Sequence, residues 1–311
     1  MRSSISIIIP VYNEKENLAP LVASLVTHCS QLVKEFVFVD DGSSDGTSEE
    51  LARLQYSQNQ MKILTLKRNF GQTAAIAAGI DHTEGDIIVT MDGDGQNDPA
   101  DIPMLIKKIE EGYDVVSGWR KVRKDSFLTR IVPSIVANTV ISVVTGIRLH
   151  DYGCTLKAYR RNIIANLQLA GEMHRFLPAW CVWQGGKVAE VAVSHHPRTH
   201  GQSKYGLLRI FKVIIDLMTV KFFSGYLFKP NYLFSGSGFL MFLLGGVSAL
   251  IAIVDKFGPD SFPKFRIPLL LLAVCLWLIG VSLVLMGLLA ELIVRLYFQI
   301  LHQKPYRLKN E

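Results

Sequence analysis

Apolar and polar positions alternate along the first two thirds of the chain in a strand–helix rhythm. Ile5-Ser6-Ile7-Ile8-Ile9 is a short β-branched run and predicts a buried strand. Asn13 and Glu16 stand three apart, the spacing of a capping box, and predict a helix to about His28. Phe36–Val39 predicts a second strand, Thr47 with Glu50 a second capping box, Lys62–Leu66 a third strand and Gly71–Asp81 an Ala-rich helix. A central strand over 86–91 follows. After Pro99, Ile102, Leu105, Ile106 and Ile109 keep helical spacing, and further strands are predicted over 114–118 and 187–193. Strands alternating with helices predict an α/β fold with a mostly parallel sheet, whose polar clusters at the strand ends share one crevice.

The pattern changes after residue 120. The stretch 127–147 is apolar but carries Arg130, Ser134, Asn138 and Ser142 at intervals of four, which predicts an amphipathic helix rather than a spanning one. A second amphipathic stretch, 207–228, has Arg209, Lys212 and Asp216 on one face. Packing on the sheet explains either stretch, but 207–228 leads into Leu233–Val254, which has no charge. Those 22 residues reach about 33 Å as a helix, enough for a hydrocarbon core of ~30 Å. Pro268–Ala290 is a second such run. Two C-terminal transmembrane helices are therefore expected, with Glu291 and Arg295 as an interfacial pair. The expected division is a catalytic domain over 1–206, an interface helix over 207–230 and a two-helix membrane domain over 231–311.

Composition adds direction. Formal charge is +6 over 311 residues, the pI is about 9.1 and mean hydropathy is +0.26. The basic balance suits phosphates or anionic lipid. Nucleic acid is excluded as a partner because the basic residues flank apolar segments and no aromatic-basic interleaving builds a stacking platform. Six Lys/Arg lie in 198–230 and four from Arg295 onward, so the positive-inside rule puts the large domain and the C-terminus in the cytoplasm, at the inner membrane. Cys29, Cys154, Cys181 and Cys275 show no CxxC spacing, which argues against a zinc site or a disulfide framework.

The chemistry concentrates where the central strand ends in Asp92-Gly93-Asp94-Gly95-Gln96. Two carboxylates two residues apart at a strand tip suit a hard divalent cation, Mg²⁺ or Mn²⁺, that shares its shell with substrate phosphates. Taken alone, the same residues make a solvated turn.

The motifs Ile8-Ile9-Pro10-Val11-Tyr12-Asn13-Glu14, Val39-Asp40-Asp41-Gly42-Ser43-Ser44-Asp45-Gly46-Thr47 and Met91-Asp92-Gly93-Asp94 together resemble the inverting nucleotide-sugar glycosyltransferases of the GT-A, Rossmann-like fold. Gln96-Asn97-Asp98-Pro99, Ser117-Gly118-Trp119-Arg120, Asp151-Tyr152-Gly153-Cys154-Thr155-Leu156-Lys157 and Arg198-Thr199-His200-Gly201-Gln202-Ser203-Lys204 narrow the resemblance to the polyprenyl-phosphate sugar transferases, the dolichol-phosphate mannose synthase group. The two spans resemble those of bacterial undecaprenyl-phosphate glucosyl- and aminoarabinosyl-transferases. Gly93 and Gly95 depart from the Ala and Leu that many relatives carry.

The resemblance implies a nucleoside pocket lined by Pro10, Tyr12, Glu14, Val39 and Asp41. It implies a metal–diphosphate site of Asp92, Gly93, Asp94 and Gln96, and phosphate contacts from Arg120, Arg198 and Lys204. The reaction it implies takes a sugar from a nucleotide sugar (UDP-glucose first, GDP-mannose next) to polyprenyl phosphate with inversion. Such an acceptor is largely dianionic at neutral pH and needs no strong base. Asp151 then orients Arg120, Lys157 or a water; a hydroxyl acceptor would instead need it as the base. His174 and Arg175 either face the site or pack. A processive polysaccharide synthase lacks support, because no Gln-x-x-Arg-Trp motif and no extra spans are present. Glycines at 236, 238, 245 and 246 allow helix contacts within one chain or in a homo-oligomer.

Overall fold

The computed structural model describes residues 3–121, 132–165, 167, 169, 171, 173–197, 218–219, 221–226, 229–257 and 263–300. Arg198, Lys204 and, of the expected helix over 207–228, residues 207–217, 220 and 227–228 lie outside them. The chain forms two units, residues 1–217 and 218–311, each described here by itself.

Seven strands form one sheet in the first unit: β1 (Ile5–Val11), β2 (Glu35–Asp40), β3 (Met61–Thr65), β4 (Ile87–Thr90), β5 (Val115–Trp119), β6 (Lys157–Arg160) and β7 (Val188–Ala192). Their order is β3-β2-β1-β4-β6-β5-β7. Only β6 is antiparallel to its neighbours, β4 and β5. The mostly parallel sheet is thus present, with a reversed strand near its middle. Reversal brings the start of β6 to the carboxyl ends of β4 and β5: Lys157 pairs with both Thr90 and Ser117.

Strand alternation fills two cores. On β1, Ile5, Ile7 and Ile9 join one cluster with Phe36 and Phe38 of β2, while Ile8 joins the other with Val37 and Val39. Both faces are covered by helices, as a parallel sheet requires. Helix α1 (Lys15–Cys29) and α4 (Ile102–Glu110) supply the first cluster. Helix α3 (Gln72–Asp81) supplies Ala75, Ile76 and Ile80 to the second. Each fully buried Ile contributes about 1.5–3 kcal/mol. Gly79 lets α3 lie on β1, since a Cβ there would run into the Ile8 side chain.

Neither capping box forms. The cap of α1 falls at Glu14, and Asn13, at φ +55°, turns its side chain away to accept from Ser44 N at 2.8 Å. Helix α2 (Thr47–Gln55) starts after Gly46, at φ +90°, and the Thr47 hydroxyl accepts from Glu14 N instead of from its own helix, while donating to Asp45. In both places a bond between neighbouring loops outcompetes the local one.

Helix α5 (Val132–Thr145) keeps the expected amphipathic pattern. Its polar face points into its own domain. Asn138 donates to His150 O at 2.8 Å, and Thr145 and Tyr152 hydroxyls lie 2.9 Å apart. The apolar Ile135, Val140 and Val143 are left exposed.

In the second unit, Pro230–Phe257 and Phe265–Leu296 are long and apolar enough to cross a membrane. They pack through glycines: a Cβ on Gly238 would meet Gly280 O at 2.8 Å. Arg295 and Glu291 pair at 3.3 Å.

Candidate active site

The carboxyl ends of β1, β2, β4 and β5 and the start of β6 share one edge of the sheet, so their exit loops converge. The loops after β1 and β2 are bound together: Asn13 N donates to Ser43 Oγ at 2.9 Å and Glu14 N to Thr47 Oγ1 at 3.0 Å. The expected nucleoside residues Pro10, Tyr12, Glu14 and Asp41 belong to this wall. Val39 does not line it. It is fully buried in the cluster that holds Ala75 and Ile76, because strand alternation points it into the core. Asp41 is buried as well, and its carboxylate accepts from Phe70 N at 2.7 Å and Gly71 N at 2.8 Å. It therefore fixes the loop into α3.

Asp92, Gly93 and Asp94 follow β4 directly. A Cβ on Gly93 would stand 2.5 Å from Val11 Cγ1, so glycine is what lets the acidic turn pack against the exit of β1. Gly95 sits at φ +73°, where a side chain is strained. Gln96 N donates to Asp94 Oδ1 at 3.1 Å, and Gln96 O accepts from His196 N. That bond and a bridge between Asn97 and His195 lay residues 195–197 along the acidic loop.

Burial, and then the charge of Asp94, push the Asp92 carboxyl up to about 6. Two carboxylates crowded in this way call for a compensating cation. Among the described residues no three His, Cys, Asp or Glu side chains converge. Asp92 and Asp94, with Gln96 beside them, could hold a hard cation only if it completed its shell with substrate oxygens.

Arg120, after β5, is gripped by Asp151. Its Nε donates to Asp151 Oδ2 at 2.7 Å and its Nη2 to Oδ1 at 3.0 Å. Gly153 N also donates to Oδ1, at 3.1 Å, and Asp151 is fully buried. Burial works against the Arg120 charge, but the bonds and charge of Asp151 outweigh it and hold the guanidinium protonated. Lys157 is buried beneath, donating to Tyr152 O at 3.2 Å and to Cys154 O. Burial, aided by the Arg120 charge, lowers its pKa. Both cations act electrostatically on Asp92. Beside Arg120 a groove of about 1050 Å³ runs along α5, lined by Trp119, Lys121, Ile135, Val143 and Arg148 among others.

Two residues escaped the sequence reading or stood open in it. Gln72, at the start of α3, donates to Asp92 Oδ1 at 2.6 Å. Its only signal was an amide opening an Ala-rich helix. His174 is buried with Nδ1 2.7 Å from Thr73 Oγ1. Burial, then the charges of Arg175 and Lys157, drive its pKa down to about 3, so it is a neutral packing partner of α3.

The sequence profile of Glycosyl transferase family 2 matches residues 6–167, which span β1 to β6 and the acidic turn. The chain belongs to this family. A family 2 chain with this site is a glycosyltransferase. Among curated relatives it is 43% identical to a dodecaprenyl-phosphate galacturonate synthase of Rhizobium johnstonii, over 95% of this chain and 89% of that one. It is 35% identical to an undecaprenyl-phosphate 4-deoxy-4-formamido-L-arabinose transferase of Proteus mirabilis, over 98% and 92%. The fold is that of glucosyl-3-phosphoglycerate synthase from Mycobacterium tuberculosis, solved with Mn²⁺ and UDP-glucose: TM-score 0.55, 16% identity, 71% of this chain and 79% of that one.

Proposed function

We propose that this family 2 enzyme moves a sugar from a nucleotide sugar to the phosphate of a polyprenyl phosphate, with inversion. The observation that carries the reading is the Asp151–Arg120 clamp. A hydroxyl acceptor needs a free base, and both oxygens of Asp151 are engaged by Arg120 and backbone N–H groups. A phosphate acceptor needs a fixed cation, and Arg120 is one. The neighbouring groove suits a lipid phosphate, with cations at one end and the exposed apolar residues of α5 along its side. Both curated relatives carry polyprenyl phosphates in their names.

In this mechanism Pro10, Tyr12 and Glu14 hold the nucleoside. Asp41 keeps the loop into α3 in place. Asp92, Asp94 and Gln96 would hold Mg²⁺ or Mn²⁺, which would supply positive charge against the leaving diphosphate. Gln72 keeps Asp92 turned into the site. Arg120 anchors the acceptor phosphate, and Arg198 and Lys204 contact phosphates. Lys157 adds a buried positive charge behind the carboxylates, where leaving-group charge develops.

Domain layout alone favours glucose as the donor sugar. The relatives' names carry galacturonate and formamido-arabinose, which favours a UDP-linked uronate first, glucose second and GDP-mannose third. The two apolar helices hold the enzyme in the inner membrane, with the catalytic domain and the basic tail cytoplasmic.

The test is direct. Purified enzyme in detergent receives Mn²⁺ or Mg²⁺, undecaprenyl phosphate and, separately, UDP-galacturonate, UDP-glucose and GDP-mannose; lipid-linked sugar is read by mass spectrometry. A phosphodiester-linked sugar from any donor supports the reaction, and the donor used fixes the sugar. Transfer only to a hydroxyl acceptor would overturn it.

A further inference from the structure

Behind the Asp151–Arg120 clamp stands a second carboxylate that the mechanism above does not use. Glu190 lies on β7 at the edge of the sheet, paired in register with Ser117 of β5. Its side chain is 13% exposed. One oxygen, Oε1, accepts two consecutive backbone N–H groups, His150 at 2.8 Å and Asp151 at 3.2 Å. The other, Oε2, stands 2.8 Å from His150 Nδ1. The His150 ring in turn stacks on Trp119, with centroids 4.4 Å apart and planes at 21°. Trp119 is the residue before Arg120.

The contacts therefore close a ring. Glu190 sets the backbone that carries Asp151; Asp151 grips the Arg120 guanidinium; and His150, held by Glu190, packs on the neighbour of Arg120. We infer that Glu190 is a positioning residue for Arg120, and through it for the acceptor phosphate. The segment 147–150 leads out of α5; Ile147 and Leu149 are buried, but the His150 side chain is 68% exposed, so apolar packing does not fix the stretch at His150 that enters Asp151. A carboxylate on two successive N–H groups is a strong way to hold it, because charge-assisted bonds are about twice as strong as neutral ones. A shift of about 1 Å in an anchoring group costs on the order of 10²-fold in rate. Without Glu190, His150 and Asp151 lose their N–H acceptor, and the fork of Arg120 loses its fixed angle. Among the described residues Glu190 bonds to His150 and Asp151 and not to the loops after β1, β2 and β4, so the donor side should be indifferent.

This inference rests on the reading of Arg120 as the acceptor-phosphate anchor, and the experiment separates the two. The full-length enzyme is assayed with undecaprenyl phosphate and the best donor of the panel, with UDP binding in Mn²⁺ measured by calorimetry. Glu190→Ala is expected to raise the acceptor KM at least tenfold, with donor KM and UDP affinity within twofold of wild type. Glu190→Gln keeps an oxygen for the N–H groups and loses only the charge, so its acceptor KM should rise two- to fivefold at wild-type thermal stability. It decides the matter if the alanine variant does not fold. In an Arg120→Ala background, Glu190→Ala should add less than twofold, since its effect passes through the guanidinium. Unchanged acceptor KM in the glutamine variant, equal losses on the donor and acceptor sides, or a fully additive double variant would each overturn the inference. An Arg120→Ala enzyme with wild-type acceptor KM would instead overturn the anchor reading itself.

Discussion

Replacing Asp92 by Asn should make the unliganded enzyme more stable while removing its activity. Asp92 is held up to about 6, from an ordinary 3.8, by burial and by Asp94. A carboxyl whose folded pKa is raised binds its proton more tightly when folded. It costs nothing at low pH, where both states are protonated. The cost grows as pH rises through about 4 to 6 and is complete above that. Two pKa units correspond to about 3 kcal/mol, and the half-buried position of Asp92 cuts this to about 1–2 kcal/mol. Asparagine keeps the oxygen that accepts from Gln72 and removes the charge. For a unit of this size 1 kcal/mol moves the melting temperature by about 2–4 °C. Thermal unfolding in detergent with EDTA should show Asp92→Asn melting about 2–8 °C above wild type at pH 8, and level with it near pH 4. Adding Mn²⁺ should raise the wild-type melting temperature and leave the variant's unchanged, since only wild type keeps the ligand charge. A variant less stable at pH 8, or an offset that does not change with pH, would refute the electrostatic reasoning.

Other expected outcomes concern the rest of the site. Asp94→Ala should abolish turnover yet leave folding and membrane insertion intact; retained lipid-linked product would remove the metal-site assignment. Gln72→Ala frees Asp92 Oδ1 from its 2.6 Å bond and should weaken Mn²⁺-dependent UDP binding several-fold by calorimetry, with acceptor KM unchanged. Gly118→Ala puts a Cβ 2.8 Å from Leu156 O and 3.0 Å from Cys154 Sγ, and overpacking of this kind costs about 1–3 kcal/mol in denaturant titrations. Lys204→Ala should raise the donor KM; wild-type rates with donor limiting would dismiss its phosphate role.

The sequence by itself determined the strand–helix rhythm, the burial of β1, β2 and β4, the acidic turn after β4 and the two apolar helices. These are local facts, since β-branched runs, helical spacing and charge-free stretches are legible residue by residue. It also marked Asp92, Asp94, Arg120 and Asp151 as chemistry-bearing, through their motifs. It did not show β6, whose four residues Lys-Ala-Tyr-Arg have charged ends and no strand pattern. That strand is held by Thr90 on one side and Ser117 on the other, from segments more than 30 residues away. Local pattern also misled at both capping boxes, where Asn13 and Thr47 accept from the neighbouring loop instead of from their own helices. Val39 reads as a pocket residue in its motif and is core in the fold, because alternation along β2 decides its direction. Which face of α5 looks outward, the hold of Gln72 on Asp92, the neutral His174 and the ring from Glu190 to Arg120 belong to the tertiary structure alone. Each joins residues far apart in sequence, and only the closing of the sheet sets the distances between them.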